Sequence, residues 1–466
     1  MTTDGGKSWN DLSKNLKNLP ENSWIAQIKA SNKNPGTALL VANDYRRFNY
    51  KPYVYKTTNY GKTWNRIVDE KDVFGYALSV VEDPETDKLL FLGTDDGLYF
   101  SIDAGIKWKK FDSQVFPTVS TKDLVIHPRE DDLVIGTFGR AAWVMDDIKF
   151  LRAIAKNPQL LENESFIFNP PTAYLAAYQQ PTGSRFGADA LYNGENRKYG
   201  GMFTYFFKES KNNKNDSLTL KLFDNERQIR TLKKKVPDKT GFYRWYWKLD
   251  EKGVDFPSRS IKKTNSEPGG VKVKPGNYRV VLESKNSISE TEITVKTDPR
   301  YNISSNTIED RYNYSKQIEE FFKKSNKAVN LLKESKKILS IYKSRIEKND
   351  NESDKILIKK ISENITQIEE IISFFLGKED DRQGIVRNPE NSVIKRLNNA
   401  KRYVGSRPKA ITNTEKLLLE HAYNDLKKGL EKINNYYNEN WESLKNEIES
   451  INFSEFKPIK KISLDN

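Results

Sequence analysis

Two arginines and several aromatic rings stand together in one short segment, DYRRFNYKPY at 44–53. Arg46 and Arg47 supply planar guanidinium groups, which form paired hydrogen bonds with carboxylates and similar anions. Tyr45 and the other rings of the segment can stack on a ligand or on a cation. Arg140 occurs in a comparable setting, GTFGRAAW. We predict that Tyr45, Arg46, Arg47 and Arg140 contact a peptide or glycan ligand, with a plain surface loop as the alternative.

Carboxylates are the groups a glycosidase would need, as a pair roughly 5 to 9 Å apart on either side of the scissile bond. The acidic residues near predicted strand ends or loops of the first 150 residues are Asp83, Asp95, Asp96, Asp146 and Asp147. Nothing in their spacing selects a pair. The catalytic residues of any enzyme reading therefore stay unassigned.

Thiolate and histidine chemistry is sparse in this chain. There is no cysteine, and the two histidines, His127 and His421, lie in different segments. We therefore expect neither a metal site nor a cofactor. His127 precedes a proline where a strand meets a turn, which favours a structural hydrogen-bonding role.

An eight-residue pattern that ends in tryptophan occurs three times. The copies are TTDGGKSW at 2–9, TTNYGKTW at 57–64 and SIDAGIKW at 101–108. Consecutive copies begin 55 and 44 residues apart, a spacing that suits the four-stranded blades of a β-propeller, which take about 40 to 50 residues. We call each copy an octet.

Each conserved position of the octet has a physical role in a turn. Asp or Asn accepts hydrogen bonds from turn N–H groups, Gly adopts positive φ, and Trp is predicted to pack as a wedge between neighbouring sheets. The nine residues assigned these structural roles are Asp4, Gly6, Trp9, Asn59, Gly61, Trp64, Asp103, Gly105 and Trp108.

The segments between the octets predict pairs of β-strands, so residues 1–150 are expected to form three blades. A propeller needs about four to eight blades to close its ring. The first octet also lacks a preceding strand. We therefore expect this chain to be the C-terminal piece of a longer protein, whose missing N-terminal blades are partners of the three present here.

The octets and the runs at 92–111 and 123–148 resemble the Asp-box, or bacterial neuraminidase repeat, of large bacterial sortilin-like propeller proteins often labelled glycosyl hydrolases. The resemblance implies an exported protein that is secreted, periplasmic or cell-surface. The Asp-box is structural and occurs in unrelated functions. Sialidases that carry it also use an arginine cluster with a tyrosine nucleophile, and no such constellation occurs here.

The rest of the chain changes character twice. Residues 151–164 predict a short helical linker, and alternating strands with Gly and Pro turns over 165–300 predict an immunoglobulin-like β-sandwich. From residue 301 to 466 apolar residues recur every three or four positions, which predicts a helical bundle of three long helices and a shorter one near 390–403. The fold class expected is therefore mainly β plus α.

Composition limits the partners further. The 466 residues carry a net charge of +14, 30% of them are charged, and the mean hydropathy is −0.77. The lysines are spread among Asn and Glu without a basic stripe, so nucleic acid is not expected as a partner. The longest apolar run, at 371–376, is far shorter than a membrane span, which takes about 18 residues.

These observations favour a non-catalytic exported protein that uses an Asp-box propeller to bind or scaffold a peptide or glycan. The alternative is a glycoside hydrolase with a sialidase-like propeller, whose catalytic residues lie mostly on the missing blades. An intracellular interaction protein is the third reading.

Overall fold

The computed structural model describes residues 1–176, 194, 196–209, 216–260, 266–347, 352–378 and 391–450. The chain divides into two units. Unit 1 consists of Met1–Lys248 and Gly276–Lys296, and unit 2 of Leu249–Pro275 and Thr297–Asn466. Small antiparallel sheets come first along the chain and a region of five α-helices follows.

Three blade-like sheets occupy the first part of unit 1, each with strands in sequence order and antiparallel neighbours. Sheet A consists of β1 (Trp24–Ala30), β2 (Ala38–Asp44), β3 (Asn49–Thr57) and β4 (Asn65–Arg66). Sheet B consists of β5 (Ala77–Asp83), β6 (Thr86–Thr94), β7 (Gly97–Ser101) and β8 (Lys109–Lys110). Sheet C consists of β9 (Thr121–Ile126), β10 (Leu133–Thr137) and β11 (Ala142–Met145).

Strand β6 shows why these sheets pack face to face. Its run Leu89 to Leu92 is apolar at every position, so alternate side chains leave opposite faces of sheet B. Leu90 and Leu92 join a core with residues of sheet A, whereas Leu89 and Phe91 join a core with residues of sheet C. Each fully buried side chain of this kind contributes about 1.5 to 3 kcal/mol.

Helix α1 (Lys149–Lys156) and a 3₁₀ turn (Pro158–Glu162) follow sheet C, where a helical linker at 151–164 was predicted. Leu151 and Ala155 of α1 pack into the core shared by sheets B and C. Ile154, on another side of the helix, packs against Phe168 and Phe206 of the next sheets. The helix is therefore buried on more than one side.

Two further sheets, of three and five strands, complete unit 1. Sheet D consists of β12 (Ser165–Ile167), β14 (Gly201–Phe207) and β17 (Gly241–Trp247). Sheet E has the strand order β13 (Ala173–Leu175), β21 (Ile288–Thr297), β20 (Gly276–Glu283), β15 (Ser217–Asp224) and β16 (Arg227–Lys235). Trp247 of sheet D meets Tyr278 of sheet E edge-on at 5.6 Å, so the two sheets lie against each other.

Unit 2 is built from helices and one short antiparallel strand pair. The helices are α2 (Ser305–Ile346), α3 (Glu352–Leu376), α4 (Val393–Gly405), α5 (Asn413–Tyr436) and α6 (Glu442–Glu449), with a π-helical turn at Tyr437–Trp441. The strands are β18 (Asp250–Lys252) and β19 (Gly269–Lys272). The predicted helical region is confirmed. The residues predicted as its apolar stripe on α2 are buried at Ile318, Phe322, Ser325, Val329, Leu332, Leu339 and Ile346.

The segment Leu249–Pro275 lies inside the range 165–300 that was predicted as a sandwich, yet it groups with the helices. The contacts of Glu251 explain this placement. Its buried carboxylate accepts hydrogen bonds from the Tyr312 hydroxyl at 2.7 Å and from the Lys316 ammonium at 3.2 Å, both on α2.

Across the described residues, no helix combines the length and the apolar character that crossing a bilayer requires.

Candidate functional site

The three octets form the same hydrogen-bonded turn. In each copy the first hydroxyl donates to the Asp or Asn side chain, at 2.8, 3.1 and 2.8 Å. The Gly N–H donates to that hydroxyl at 2.8, 3.0 and 2.9 Å. The N–H of the seventh residue donates to the Asp or Asn oxygen at 3.0, 2.9 and 2.9 Å. These side chains are therefore occupied in holding turns.

The octet tryptophans lie in three different environments. Trp108 is 5% exposed, packs between sheets A and B, and donates its indole N–H to the Ile67 carbonyl at 2.8 Å. Trp64 is half-buried against Leu16 and sheet A. Trp9 is 73% exposed. Trp108 is therefore packed between two sheets, whereas Trp9 is exposed within the described residues.

Strand direction separates the candidate residues into two groups. Because β3 and β7 run toward the octets that follow them, the second and third octets share one end of the sheets, which we call the octet end. The turns β2–β3, β6–β7 and β10–β11, with the residues just before β5 and β9, lie at the opposite end, which we call the loop end.

Asp83 lies at the octet end and is part of a buried ion pair. Its carboxylate, 0% exposed as a side chain, accepts two hydrogen bonds from the Arg152 Nε and one from Nη2, at 2.8 to 3.0 Å. Arg152 also pairs with Asp131 at 3.0 Å and with Glu85 at 2.7 Å. This cluster ties α1 to sheets B and C, which is a structural use of Asp83.

Asp146 and Asp147 also lie at the octet end, directly after β11. Asp146 accepts a hydrogen bond through its carbonyl from Arg244 of sheet D and lies 3.7 Å from the same guanidinium. Asp147 is 2% exposed, and burial raises the pKa of its carboxyl, while Lys149 lies 3.7 Å away. Neither carboxylate lies at the loop end.

His127 occupies the turn after β9. Its Nδ1 accepts hydrogen bonds from the N–H groups of Arg129 at 3.3 Å and Glu130 at 3.2 Å. The backbone N–H of His127 donates to the Asp132 carbonyl at 2.8 Å. The ring nitrogen thus serves the turn itself.

Tyr45 and Tyr76 contact each other at the loop end. Their rings stack with centroids 4.5 Å apart and planes inclined by 15°. Tyr50 adds a tilted contact with Tyr76 at 6.2 Å. The Arg46 guanidinium lies 5.9 Å from the Tyr45 ring centroid, and Arg46 is exposed. Tyr76 was missed from the sequence because it stands just before β5, outside the segment 44–53.

Arg47 has a different environment from Arg46. Its Nε donates to the Asp44 carboxylate at 2.6 Å, and its Nη2 donates to the Glu21 carbonyl. The Asp44 side chain is buried. These contacts hold the β2–β3 turn, so Arg47 is committed to the fold, whereas Arg46 is not.

Asp95 provides a buried carboxyl beside the stacked tyrosines. Its N–H donates to the Tyr76 carbonyl at 3.2 Å, and its buried Oδ1 has no hydrogen-bond partner among the described residues. Burial raises the pKa of this carboxyl. Hydrogen bonding to the backbone of Tyr76 and of Asp95 itself opposes the shift, and the charge of Asp96 adds to it. Gly75 has a φ of +79°, and a Cβ at this position would overlap the Asp95 carboxylate, so the backbone requires glycine here.

Asp96, the residue after Asp95, has different partners. It forms an ion pair with Lys110 and accepts a hydrogen bond from the Tyr99 hydroxyl at 3.3 Å. The two adjacent carboxyls of the β6–β7 turn therefore occupy unlike environments.

The loop end also carries exposed aromatic and basic side chains. Phe48, Phe74 and Phe138, which stand in or beside three separate loops of this end, are 85, 72 and 74% exposed. Arg140 is exposed in the β10–β11 turn beside Phe138. No contact joins Arg140 to Arg46 among the described residues, so the structure brings them to one end without pairing them. No pattern around Phe74 singled it out in the sequence, because it stands outside the octets and outside the segment 44–53.

Metal binding has no support from side-chain grouping. In the part of the chain that the structure describes, no group of three or more His, Cys, Asp or Glu residues is arranged to hold a metal ion.

Similarity to known proteins covers only part of this chain. No curated protein sequence matches the chain. A GH74 enzyme from Niastella koreensis is similar at 19% identity and TM-score 0.24, over 26% of this chain and 21% of that chain. The GH74 xyloglucanase from Xanthomonas campestris has 15% identity and TM-score 0.23, over 57% and 36%. YCF48 from Cyanidioschyzon merolae has 18% identity and TM-score 0.16, over 28% and 57%.

The chain thus covers less than two thirds of each of these three proteins. A family model gives a more definite result. Residues 52–149 match the Sortilin-Vps10 model, described as sortilin, neurotensin receptor 3. The matched range runs from β3 to the first residue of α1. The chain is therefore similar to the Sortilin-Vps10 family over residues 52–149.

Proposed function

We propose that sheets A, B and C are the last three blades of an Asp-box β-propeller, and that sheets D and E form an immunoglobulin-like sandwich. The octet turns, the face-to-face packing around β6 and the Sortilin-Vps10 match over residues 52–149 support the propeller. The contact between Trp247 and Tyr278 supports the sandwich. The helices of unit 2 form the C-terminal bundle.

We further propose that the loop end is a non-catalytic binding surface for an extended peptide or a glycan. The observation that carries this proposal is the concentration of exposed Phe48, Phe74 and Phe138 with exposed Arg46 and Arg140 at one end of the sheets. Large exposed aromatic side chains rimmed by charge are typical of interaction surfaces. Loops held by a rigid sheet scaffold are also where ligand contacts concentrate.

The stacked tyrosines give this surface a fixed base. Tyr45 and Tyr76 belong to neighbouring sheets, and their contact orders the β2–β3 turn against the start of β5. A ligand that stacks on this end therefore meets rings that are already in place, which lowers the entropy cost of binding. The two exposed guanidinium groups, of Arg46 and Arg140, favour ligands that carry carboxylates or similar anions.

We propose that the protein acts outside the cytoplasm, as a secreted, periplasmic or cell-surface scaffold. We also propose that further blades of the same protein cover sheet A. The exposed side of β1 supports such a covering sheet. Ile28 of that strand is 62% exposed and pairs with Leu40, on the face of sheet A that lies outside the core shared with sheet B. A propeller blade normally packs against a sheet on this side.

The proposal is tested by screening the full chain against an array of acidic and neutral glycans and a library of extended peptides. Each compound that binds is also incubated with the protein and followed for cleavage. Saturable binding without cleavage supports a binding module. Cleavage of any glycan, with loss of the rate when one acidic residue is replaced, contradicts it.

One observation favours glycoside hydrolysis as the second candidate function. Asp95 has a raised pKa because it is buried, whereas the adjacent Asp96 is ion-paired. Acid and base roles need carboxyls in unlike environments. If Asp95 is a general acid, Asp95→Asn abolishes turnover, whereas Asp146→Asn, at the octet end, leaves it intact.

A further inference from the structure

A cavity of about 240 Å³ lies within unit 2. Its wall combines the β18–β19 strand pair and the residues after β18 with helices α2 and α4. The apolar part of the wall consists of Val254, Phe256, Val271, Ile318 and Phe322. A mainly apolar wall with few polar groups is typical of small-molecule sites.

Lys401, on α4, is the cation at this cavity that carries no carboxylate partner. Its Nζ lies 4.5 Å from the Phe256 ring centroid and 5.8 Å from that of Phe322. Among the described residues it forms no ion pair within 4 Å. Burial lowers the pKa of Lys401, and Glu319 opposes this shift. The ammonium is thus held on two aromatic faces beside an apolar space.

Glu319 also lines the cavity, but its carboxylate pairs with a cation other than Lys401. Lys316 donates to the Glu319 carboxylate at 2.6 Å and to the buried Glu251 carboxylate at 3.2 Å. The described residues show no ion pair within 4 Å between Glu319 and Lys401, so the Lys401 ammonium can pair with the acid group of a ligand.

We propose that this cavity binds a small carboxylic acid with an aromatic or short aliphatic body. The body would fill the space between Phe256, Phe322 and Ile318, and the carboxylate would pair with the Lys401 ammonium. Size supports this class, because an apolar cavity of about 150 Å³ already accepts benzene. Removal of the body from water provides affinity, and a charge-assisted hydrogen bond orients the acid group.

The site is separate from the proposed binding surface, because every lining residue belongs to unit 2. Its test therefore succeeds or fails independently of the loop end. The probes are 3-phenylpropionate and its uncharged analogue 3-phenylpropionamide, titrated into the full chain by calorimetry.

The Lys401→Met variant retains the apolar stem of the side chain and removes its charge. We expect it to weaken 3-phenylpropionate about tenfold, the value of one charge-assisted hydrogen bond, and to leave 3-phenylpropionamide unchanged. Val254→Phe, which fills part of the cavity, should weaken both probes. Lys427→Met, an exposed lysine of α5 that does not line the cavity, is the matched control and should bind like the parent.

Circular dichroism of each variant shows whether the helices remain folded. The proposal is overturned if neither probe binds saturably to the parent chain, including the case in which another part of the protein fills the cavity. It is also overturned if folded Lys401→Met binds both probes like the parent, or if folded Val254→Phe does so.

Discussion

The ring of Tyr45, in the β2–β3 turn of sheet A, stacks on the ring of Tyr76, at the start of β5 in sheet B, with centroids 4.5 Å apart. The backbone carbonyl of Tyr76 in turn accepts a hydrogen bond from the N–H of Asp95 in the β6–β7 turn. Three segments that are distant in sequence are thereby joined at the loop end.

Tyr76→Ala should lower the free energy of unfolding by about 1 to 2 kcal/mol, because the stacked pair and part of the ring burial are lost. Tyr76→Phe keeps the ring and should stay within about 0.5 kcal/mol of the parent. Urea unfolding of both variants measures the difference. Equal stability of the two variants would show that the stack contributes little.

Trp108→Ala should be far more damaging than Trp9→Ala, although both residues end an octet. Trp108 is 5% exposed between two sheets and Trp9 is 73% exposed. Truncation of a buried aromatic costs about 3 to 5 kcal/mol, whereas an exposed change costs about 0.5 kcal/mol or less. Chemical denaturation of both variants checks this contrast, and similar losses would argue against the wedge role of Trp108.

Arg152→Met should lower the free energy of unfolding by about 3 to 5 kcal/mol, because it leaves the buried Asp83 carboxylate without its main partner. The double variant Arg152→Met with Asp83→Leu removes both charges and should be more stable than Arg152→Met alone. Lys156→Met, an exposed neighbour on α1, serves as the control. A double variant as unstable as the single one would contradict this account of the pair.

The sequence was most informative where local interactions decide the structure. The octet turns depend on hydrogen bonds between residues two to four apart, such as Gly61 N–H to the Thr57 hydroxyl. The stripe on α2 depends on helical spacing, and Ile318 and Leu332 are buried as that spacing requires. Short-range rules are enough for both features.

Features that depend on packing between distant segments were not accessible in this way. Tyr45 was identified as a candidate from its own loop, but its partner Tyr76 is brought to it only when sheets A and B pack. The basic residues Arg46 and Arg47 are adjacent and alike in sequence. The positions of the Asp44 carboxylate and the Glu21 carbonyl decide that the Arg47 guanidinium is held by hydrogen bonds. Among the described residues, the Arg46 guanidinium has no such bond and is exposed.

Asp95→Asn should stabilise the protein at neutral pH. Burial raises the pKa of Asp95 above its ordinary value of 3.8, so the folded state binds this proton more tightly than the unfolded state. The contribution of Asp95 to stability is therefore full below pH 3.8 and is lost as the pH rises through the folded-state pKa. The facing charges are Asp96, which adds to the shift, and Lys122, which opposes it.

Unfolding of the parent and of Asp95→Asn is compared at neutral pH and below pH 3.8. The advantage of the variant should be present at neutral pH and disappear in acid. An advantage that is equal at both pH values, or a loss at neutral pH, would contradict the conclusion that burial disfavours the charged form of this carboxyl.

The most direct test of the loop end is the affinity of one bound peptide or glycan for arginine variants. The tightest binder from the array and library screen is titrated against the parent, the Arg46→Ala with Arg140→Ala variant, and Arg129→Ala. Arg129 is an exposed arginine in the turn after β9, at the octet end, and is the matched control. We predict at least about a tenfold loss for the double variant, since each charge-assisted contact contributes on the order of 1.5 kcal/mol, with no change for Arg129→Ala. Equal affinity of the double variant and the parent would contradict the account.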